Sequence, residues 1–180
     1  ATGPLSLTIF VPSMPGIQRA FDTDYATVQL TLTLYLVGFA VAQLLYGPLS
    51  DRFGRRPVLL AGQGFFLAGS VLCLVAPGIE ALIAGRLVQA VGACSGMVVA
   101  RAIIQDVYRR ENAATVLAYV SAAMAAAPML GPSIGGMLEV WLGWRASFVF
   151  IAVLGAVVVA ASVFSLHETH KGEAQGATIV

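Results

Sequence analysis

The sequence predicts an all-α membrane protein: six transmembrane helices in a three-plus-three inverted repeat. Three observations carry that prediction. Hydrophobic residues make up 58% of the 180-residue chain and charged residues 11%, with a mean hydropathy of +0.86. Soluble domains carry roughly a quarter charged residues, so this chain cannot cover a water-facing surface. Apolar runs of lipid-spanning length recur six times between short polar breaks, the first qualifying only if further residues once preceded it. Finally, Tyr46-Gly-Pro-Leu followed by Phe53-Gly-Arg-Arg is echoed by Leu130-Gly-Pro-Ser followed by Leu142-Gly-Trp-Arg.

A hydrocarbon core of roughly 30 Å takes about 20 apolar residues per helix. The runs fall at approximately 1–18, 27–49, 57–76, 81–104, 113–139 and 146–166. The first begins abruptly, with no initiator Met and no basic region. It is not a signal peptide, and it reads as a helix cut at its start, in a fragment or a trimmed chain. The second run ends in a tight elbow, where Asp51, Arg52, Arg55 and Arg56 crowd into six positions around Gly54. The break between the third and fourth runs is Pro77–Glu80. The fourth run carries Arg86, roughly 9 Å inside the helix from Glu80 at 1.5 Å per residue. Gln105–Asn112 separates the fourth run from the fifth, which holds Pro128, Gly131, Pro132, Gly135 and Gly136. Val140–Arg145 leads into the sixth. The organisation is therefore a helical bundle over residues 1–166, followed at 167–180 by a polar cytoplasmic tail or the start of a central loop.

Orientation follows from basic residues at the loops and helix ends. Arg52, Arg55, Arg56, Arg101, Arg109, Arg110 and Lys171 fall on one side, and Arg19 and Arg145 on the other. This places the Asp51–Arg56 elbow and the tail in the cytoplasm of a multi-pass protein of the cell inner membrane. The net charge of +1 gives no electrostatic footprint for nucleic acid. Cys73 and Cys94 sit in apolar runs and lack metal-ligand spacing, and His167 and His170 have no further ligands near them. No phosphate loop or nucleophile elbow is present, so the chain is not read as an enzyme, and no metal or cofactor is expected.

The echoed motifs end the second and fifth helices, three helices apart and therefore on opposite sides of the membrane, as an inverted repeat requires. Small residues recur at close-packing spacing: Gly38 with Ala42, Gly62 with Gly69, Gly92 with Gly96, and Gly131 to Gly136. In lipid such spacing lets helix backbones approach, and Gly47 is expected to do the same for the second helix. Arg86 is costly inside a membrane helix. It either snorkels to the outer interface or faces protein or a water-filled cavity. Gln89 lies one turn along the same face. Tyr35, Gln43 and Tyr119 are candidates to meet a substrate, with Gln63 and Gln105 beside them. The sequence leaves open whether they line a cavity or join helices.

Gly47-x-x-x-Asp51-Arg52-x-Gly54-Arg55-Arg56 resembles the signature of the major facilitator superfamily between helices two and three. Leu82-x-x-x-Arg86-x-x-Gln89-x-x-Gly92 resembles the fourth-helix motif of drug/proton antiporters. Gly131-Pro132-x-x-Gly135-Gly136 resembles the fifth-helix antiporter motif, and Pro12-x-x-Pro15 is similar to the first-helix motif of twelve-span members. Gln43-Leu-Leu-Tyr-Gly-Pro-Leu-Ser-Asp-Arg-Phe-Gly-Arg-Arg-Pro57 resembles the bicyclomycin/chloramphenicol-resistance type.

The resemblance implies the N-terminal half of a twelve-helix transporter whose C-terminal six-helix half is absent from this chain. It implies proton-driven efflux of drugs or small amphipathic metabolites by alternating access, with small-molecule substrate, protons and the lipid bilayer as partners. The elbow is implied to latch the two halves, with Arg55 or Arg56 pairing with Asp106. Arg86 and Gln89 are implied to act in proton coupling, and the Pro128–Gly136 segment as an antiporter hinge able to slide against the other half. The alternatives are an importing proton/metabolite symporter of the same fold, or a non-transporting six-helix membrane partner. Thr8 stands where the resembled subgroup has an acidic residue. Arg cannot release its proton, so any coupling by Arg86 runs through a carboxylate elsewhere. Asp51 and Asp106 at the cytoplasmic edge and Glu80 and Glu139 at the outer edge are those this chain offers.

Overall fold

In a computed structural model, residues 2–108 and 110–165 are described, and the 167–180 segment lies outside them. Six helices follow one another: α1 (Thr2–Phe21), α2 (Tyr25–Phe53), α3 (Arg55–Leu74), α4 (Ile79–Val107), α5 (Arg110–Leu142) and α6 (Trp144–Ser165). No strand occurs among the described residues. Five helices, α2 to α6, are long and apolar enough to cross a membrane. α1 falls short on composition, carrying Ser6, Thr8, Ser13, Gln18 and two internal prolines.

The breaks are shorter than hydropathy predicts. The expected elbow over 50–56 contracts to Gly54 alone, because Ser50 to Phe53 complete the last turn of α2 and Arg55 opens α3. Likewise the 140–145 break contracts to Gly143. Polar residues leave the lipid without leaving the helix, so a charge marks the membrane boundary and not the helix end. Both glycines have positive φ, 95° at Gly54 and 79° at Gly143, a backbone region that disfavours side chains. The echoed Phe-Gly and Leu-Gly pairs are thus two equivalent one-residue reversals. At the α1–α2 turn the carboxylate of Asp24 accepts the Thr27 N–H at 3.2 Å, an N-cap for α2.

The repeat is also visible in who packs on whom. α4 packs on α2 and α3, α1 packs chiefly on α5 and also on α6, and α3 lies against α6. Exchanging helices one, two and three with four, five and six turns the α1–α5 pair into α4–α2 and leaves α3–α6 unchanged. Side chains fill the bundle in three layers. Phe10, Met14, Trp144 and Phe148 belong to the layer at the end away from the elbow. Ile9, Tyr35, Phe66 and Ile151 lie at mid-depth. Tyr46, Val58, Leu59 and Val99 lie nearest the elbow.

Close helix approach is carried by some of the expected small residues only. A Cβ on Gly92 would strike the backbone of Phe66, and one on Gly69 the backbone of Gln89, which fixes the α3–α4 crossing. Around Gly47, Gly96 and Gly136, a Cβ would meet nothing within 4 Å. Those three therefore make no close helix contact of the kind expected of them.

Candidate functional site

Two polar constellations interrupt the apolar bundle. At the elbow, the Gly54 reversal brings the first residue of α3 over the last turn of α2. Arg55 then donates from Nη1 to Ser50 Oγ at 2.6 Å, pairs with Asp51, and donates from Nε to Asp106 Oδ2 at 2.9 Å. One guanidinium thereby joins the ends of α2, α3 and α4. Arg56 reaches the other way and donates to the Val163 carbonyl in the last turn of α6 at 3.3 Å. Arg52 projects outward over the Phe53 ring, 5.4 Å from its centroid. Of the two expected partners for Asp106, Arg55 makes the contact. The Asp51 side chain keeps 62% of its surface exposed while paired, so its carboxylate remains open to a second cation.

The deeper constellation is built on α4. Arg86 is fully buried, so it does not snorkel to the interface. Its guanidinium carbon lies 4.1 Å from the Tyr35 ring centroid and 4.4 Å from that of Phe10. Nη1 donates to Gln89 Oε1 at 2.6 Å and to Ser6 Oγ at 3.2 Å. Nε and Nη2 have no hydrogen-bond partner among the described residues, and no described carboxylate reaches the group. Gln89 in turn donates from Nε2 to Ser70 Oγ at 2.8 Å, and Ser70 donates to the Phe66 carbonyl at 2.7 Å. A polar chain thus runs from α1 through α4 into α3. Burying a lone cation costs several kcal/mol. Here ring faces and neutral oxygens offset that cost in place of a counter-ion.

The other candidates separate. Tyr35 is 2% exposed, stacked on Arg86, with its hydroxyl 3.4 Å from the Gly3 carbonyl. Gln43 is exposed, and Tyr119 is 74% exposed on α5. α5 runs unbroken through both prolines. Ala127, Gly131 and Gly135 form a buried stripe against α1, where Thr8 Oγ1 lies 3.4 Å from the Ala127 carbonyl. A Cβ on Gly131 would strike Thr8, and one on Gly135 the backbone of Ile9. Gly131 and Gly135 therefore seat α1 within this bundle, and the exposed outer face of the segment is the one bearing Pro128 and Pro132. At the far end, Glu139 presses its carboxylate against Gly16 of α1, and its Oε2 is buried without a hydrogen-bond partner among the described residues. Glu80 is exposed.

Sequence reasoning missed Ser6, Ser70 and Phe10 as the surroundings of Arg86, and Ser162 as the α6 partner that receives a hydrogen bond from Gln63. An isolated serine in an apolar helix carries no spacing signal. Only the three-residue interval between Arg86 and Gln89 pointed to a shared polar face.

Residues 2–178 match the family described as Major Facilitator Superfamily. The "Chloramphenicol resistance protein" of Pseudomonas aeruginosa is 39% identical over 159 residues, covering 88% of this chain and 37% of that protein. "Multidrug resistance protein D" of Escherichia coli K12 is 33% identical over 174 residues, covering 97% of this chain and 44% of that protein. The chain therefore spans less than half the length of these relatives. In fold it resembles the human organic anion transporter MFSD10, with a TM-score of 0.66 at 20% identity over 93% of this chain and 45% of that one.

Proposed function

Because the chain belongs to the major facilitator superfamily, we propose that it forms one six-helix half of a transporter that exports small amphipathic molecules by proton-driven alternating access. The observation that carries this reading is Arg86: a fully buried charge whose described neighbours are rings and neutral oxygens, with no carboxylate among them. An ion so costly to bury marks a functional position in a membrane protein. The names of the relatives, which refer to resistance to chloramphenicol and to multiple drugs, support drugs and similar amphipaths as cargo. The basic-residue asymmetry supports an elbow facing the cytoplasm of the inner membrane.

In this reading the fixed charge of Arg86 biases a carboxylate that takes and releases the proton. Asp51 and Asp106 are held by Arg55, and Glu80 is exposed. Glu139 is the remaining candidate of the four, and it can accept a proton without breaking a described ion pair. The exposed edge of Asp51 is the elbow's latch toward the second half, and the Pro128–Pro132 face of α5 is the surface that slides.

The test is transport into everted vesicles under an imposed pH gradient, with chloramphenicol as cargo. Proton-linked uptake that disappears in Arg86→Ala and in Glu139→Gln supports the assignment. Undiminished proton-linked transport by Arg86→Ala removes Arg86 from the mechanism. Movement of the cargo together with the proton makes the protein an importer.

A further inference from the structure

At the end of the bundle away from the elbow, α1 presents Ser13, Gly16 and Arg19, each near one turn from the next. The Glu139 carboxylate of α5 rests on Gly16, where a Cβ would strike Oε1, so a side chain at that position would displace it. Ser13 is fully buried, and its hydroxyl oxygen lies 2.9 Å from that of Ser147 on α6. Ser13 is also the hydrogen-bonding side chain that acts on Glu139, and Arg19 is the charge that does so. Oε2 of Glu139 stays buried without a hydrogen-bond partner among the described residues, which is costly for a charged oxygen.

The other charged groups at this end are turned elsewhere. Arg19 donates from Nε to the Pro15 carbonyl at 3.2 Å. On α6, Arg145 lies over the Trp144 ring, 4.4 Å from its centroid, and donates to the Leu74 carbonyl at 3.4 Å. Asp22 and Glu80 line a separate cleft beside Phe21 and Pro77. The inverted repeat sharpens the contrast. Glu139 stands four residues before Gly143, as Ser50 stands four before Gly54. Ser50 is held by the fixed charge of Arg55, whereas Glu139 has no ion pair among the described residues.

We propose that Ser13 and Gly16 are positioning residues for proton exchange at Glu139, an inference that rests on reading Glu139 as the proton carrier. Gly16 supplies the space in which the carboxyl group sits. Ser13 supplies a hydroxyl that serves both of its forms, because a hydroxyl donates and accepts, a carboxylate only accepts, and a carboxylic acid gains one donor. With Glu139 ionised, Ser147 donates to Ser13 and Ser13 donates to the carboxylate. When a proton from water at that end adds to the carboxylate, the new O–H donates to Ser13 Oγ, and the Ser13 hydroxyl turns to Ser147. Release reverses both turns. One O–H bond forms or breaks, at Glu139 alone, and the serines keep their own protons.

The test is pH-difference infrared spectroscopy of the purified full chain in dodecyl maltoside micelles. It reads the carbonyl band of protonated Glu139, identified by its loss in Glu139→Gln. Ser13→Ala removes the acceptor, so the band is expected at higher frequency, with its pH midpoint displaced by roughly half a pH unit or more. Gly16→Ala moves the carboxyl group off its seat and exchanges glycine for a better helix former. Its band is expected to broaden to that of a hydrated acid, and its midpoint to become that of an exposed glutamate side chain. Size-exclusion profile and helicity confirm that each variant is folded, and Ser13→Ala decides alone if Gly16→Ala is not. A packing role alone for Ser13 leaves the band in place. An unchanged band and midpoint in Ser13→Ala, or in folded Gly16→Ala, overturns the proposal, as does the absence of any band that Glu139→Gln removes. A midpoint that falls when sodium replaces choline at constant ionic strength makes the seat a sodium site and overturns the assignment to a proton. Vesicle transport by Glu139→Gln separates the two readings. Full proton-linked transport beside a band that Ser13→Ala moves takes Glu139 out of transport and leaves its seat standing. Lost transport beside an unmoved band keeps Glu139 and removes the seat.

Discussion

Replacing Arg86 by Met separates a charge kept for function from one kept for packing. Burial of the guanidinium costs several kcal/mol after relaxation. Against this stand two ring contacts, at 4.1 and 4.4 Å, worth up to about 2 kcal/mol each when desolvated. Two charged hydrogen bonds, to Gln89 and Ser6, add about 1.5–3 kcal/mol each. The two sides come within a few kcal/mol of cancelling. Methionine has similar length, meets both rings through sulfur, and leaves Gln89 Oε1 still accepting from Ser6 Oγ at 3.3 Å. Arg86→Met is therefore expected to unfold within about 2 kcal/mol of wild type, because its losses and the relieved desolvation are of similar size. Arg86→Ala is expected to lose a further 2–5 kcal/mol or so through the cavity it leaves. Both are expected to abolish proton-linked transport. The assay is reversible unfolding in mixed micelles, followed by tryptophan fluorescence, alongside vesicle transport. If Arg86→Met unfolds as readily as Arg86→Ala, the balance above is wrong and the arginine is structural.

Other outcomes follow from the same geometry. Gly92→Ala places a methyl on the Phe66 backbone and should destabilise by about 1–3 kcal/mol or more in the same unfolding assay, whereas Gly136→Ala should be neutral or stabilising. In double-mutant cycles, Arg55 should couple more strongly to Asp106 than to Asp51, because the Asp106 side chain is 32% exposed and that of Asp51 62%; a full coupling of about 1 kcal/mol or less is expected for such partly exposed pairs. The Asp24 carboxyl is held below its ordinary range by hydrogen bonding to Thr27. Its contribution to stability is therefore complete above the unfolded-state value and is lost as the pH falls through the folded-state one. Asp24→Asn should keep the cap and lose that acid sensitivity, which a series of melting curves from neutral to acidic pH would show.

Much of the architecture could be read from the sequence because lipid imposes one simple demand, a span of apolar residues for each crossing. The repeat was legible in two short echoed stretches per half, and Gly54 and Gly143, one from each half, occupy the same turn. Helix ends were not legible, because residues such as Ser50 and Arg52 leave the lipid while remaining helical. Arg86 and Gln89 announced themselves by charge and spacing. Their surroundings did not, because Ser6 and Ser70 meet them across distances of 83 and 19 residues that no local pattern encodes. The glycines divide for the same reason. Gly92 and Gly96 look alike in sequence, and only the placement of α3 makes one a tight contact and the other the wall of a cavity.

The pairing of α1 with α5 has a consequence for how the protein is made. α1 is the helix least suited by composition to reside alone in lipid, yet its main contact surface belongs to a helix that begins at Arg110. At about 5–20 residues per second of synthesis, the partner emerges on the order of 4 to 18 seconds after α1 is complete. During that interval the hydroxyls of α1 and the face that will meet Gly131 and Gly135 have only α2 to α4 or the insertion machinery for company. Slow codons between the two helices, or the loss of an insertase that shelters unpaired spans, should therefore damage this protein through α1 first, and extra hydrophobicity on the exposed side of α1 should relieve the damage without touching the transport path.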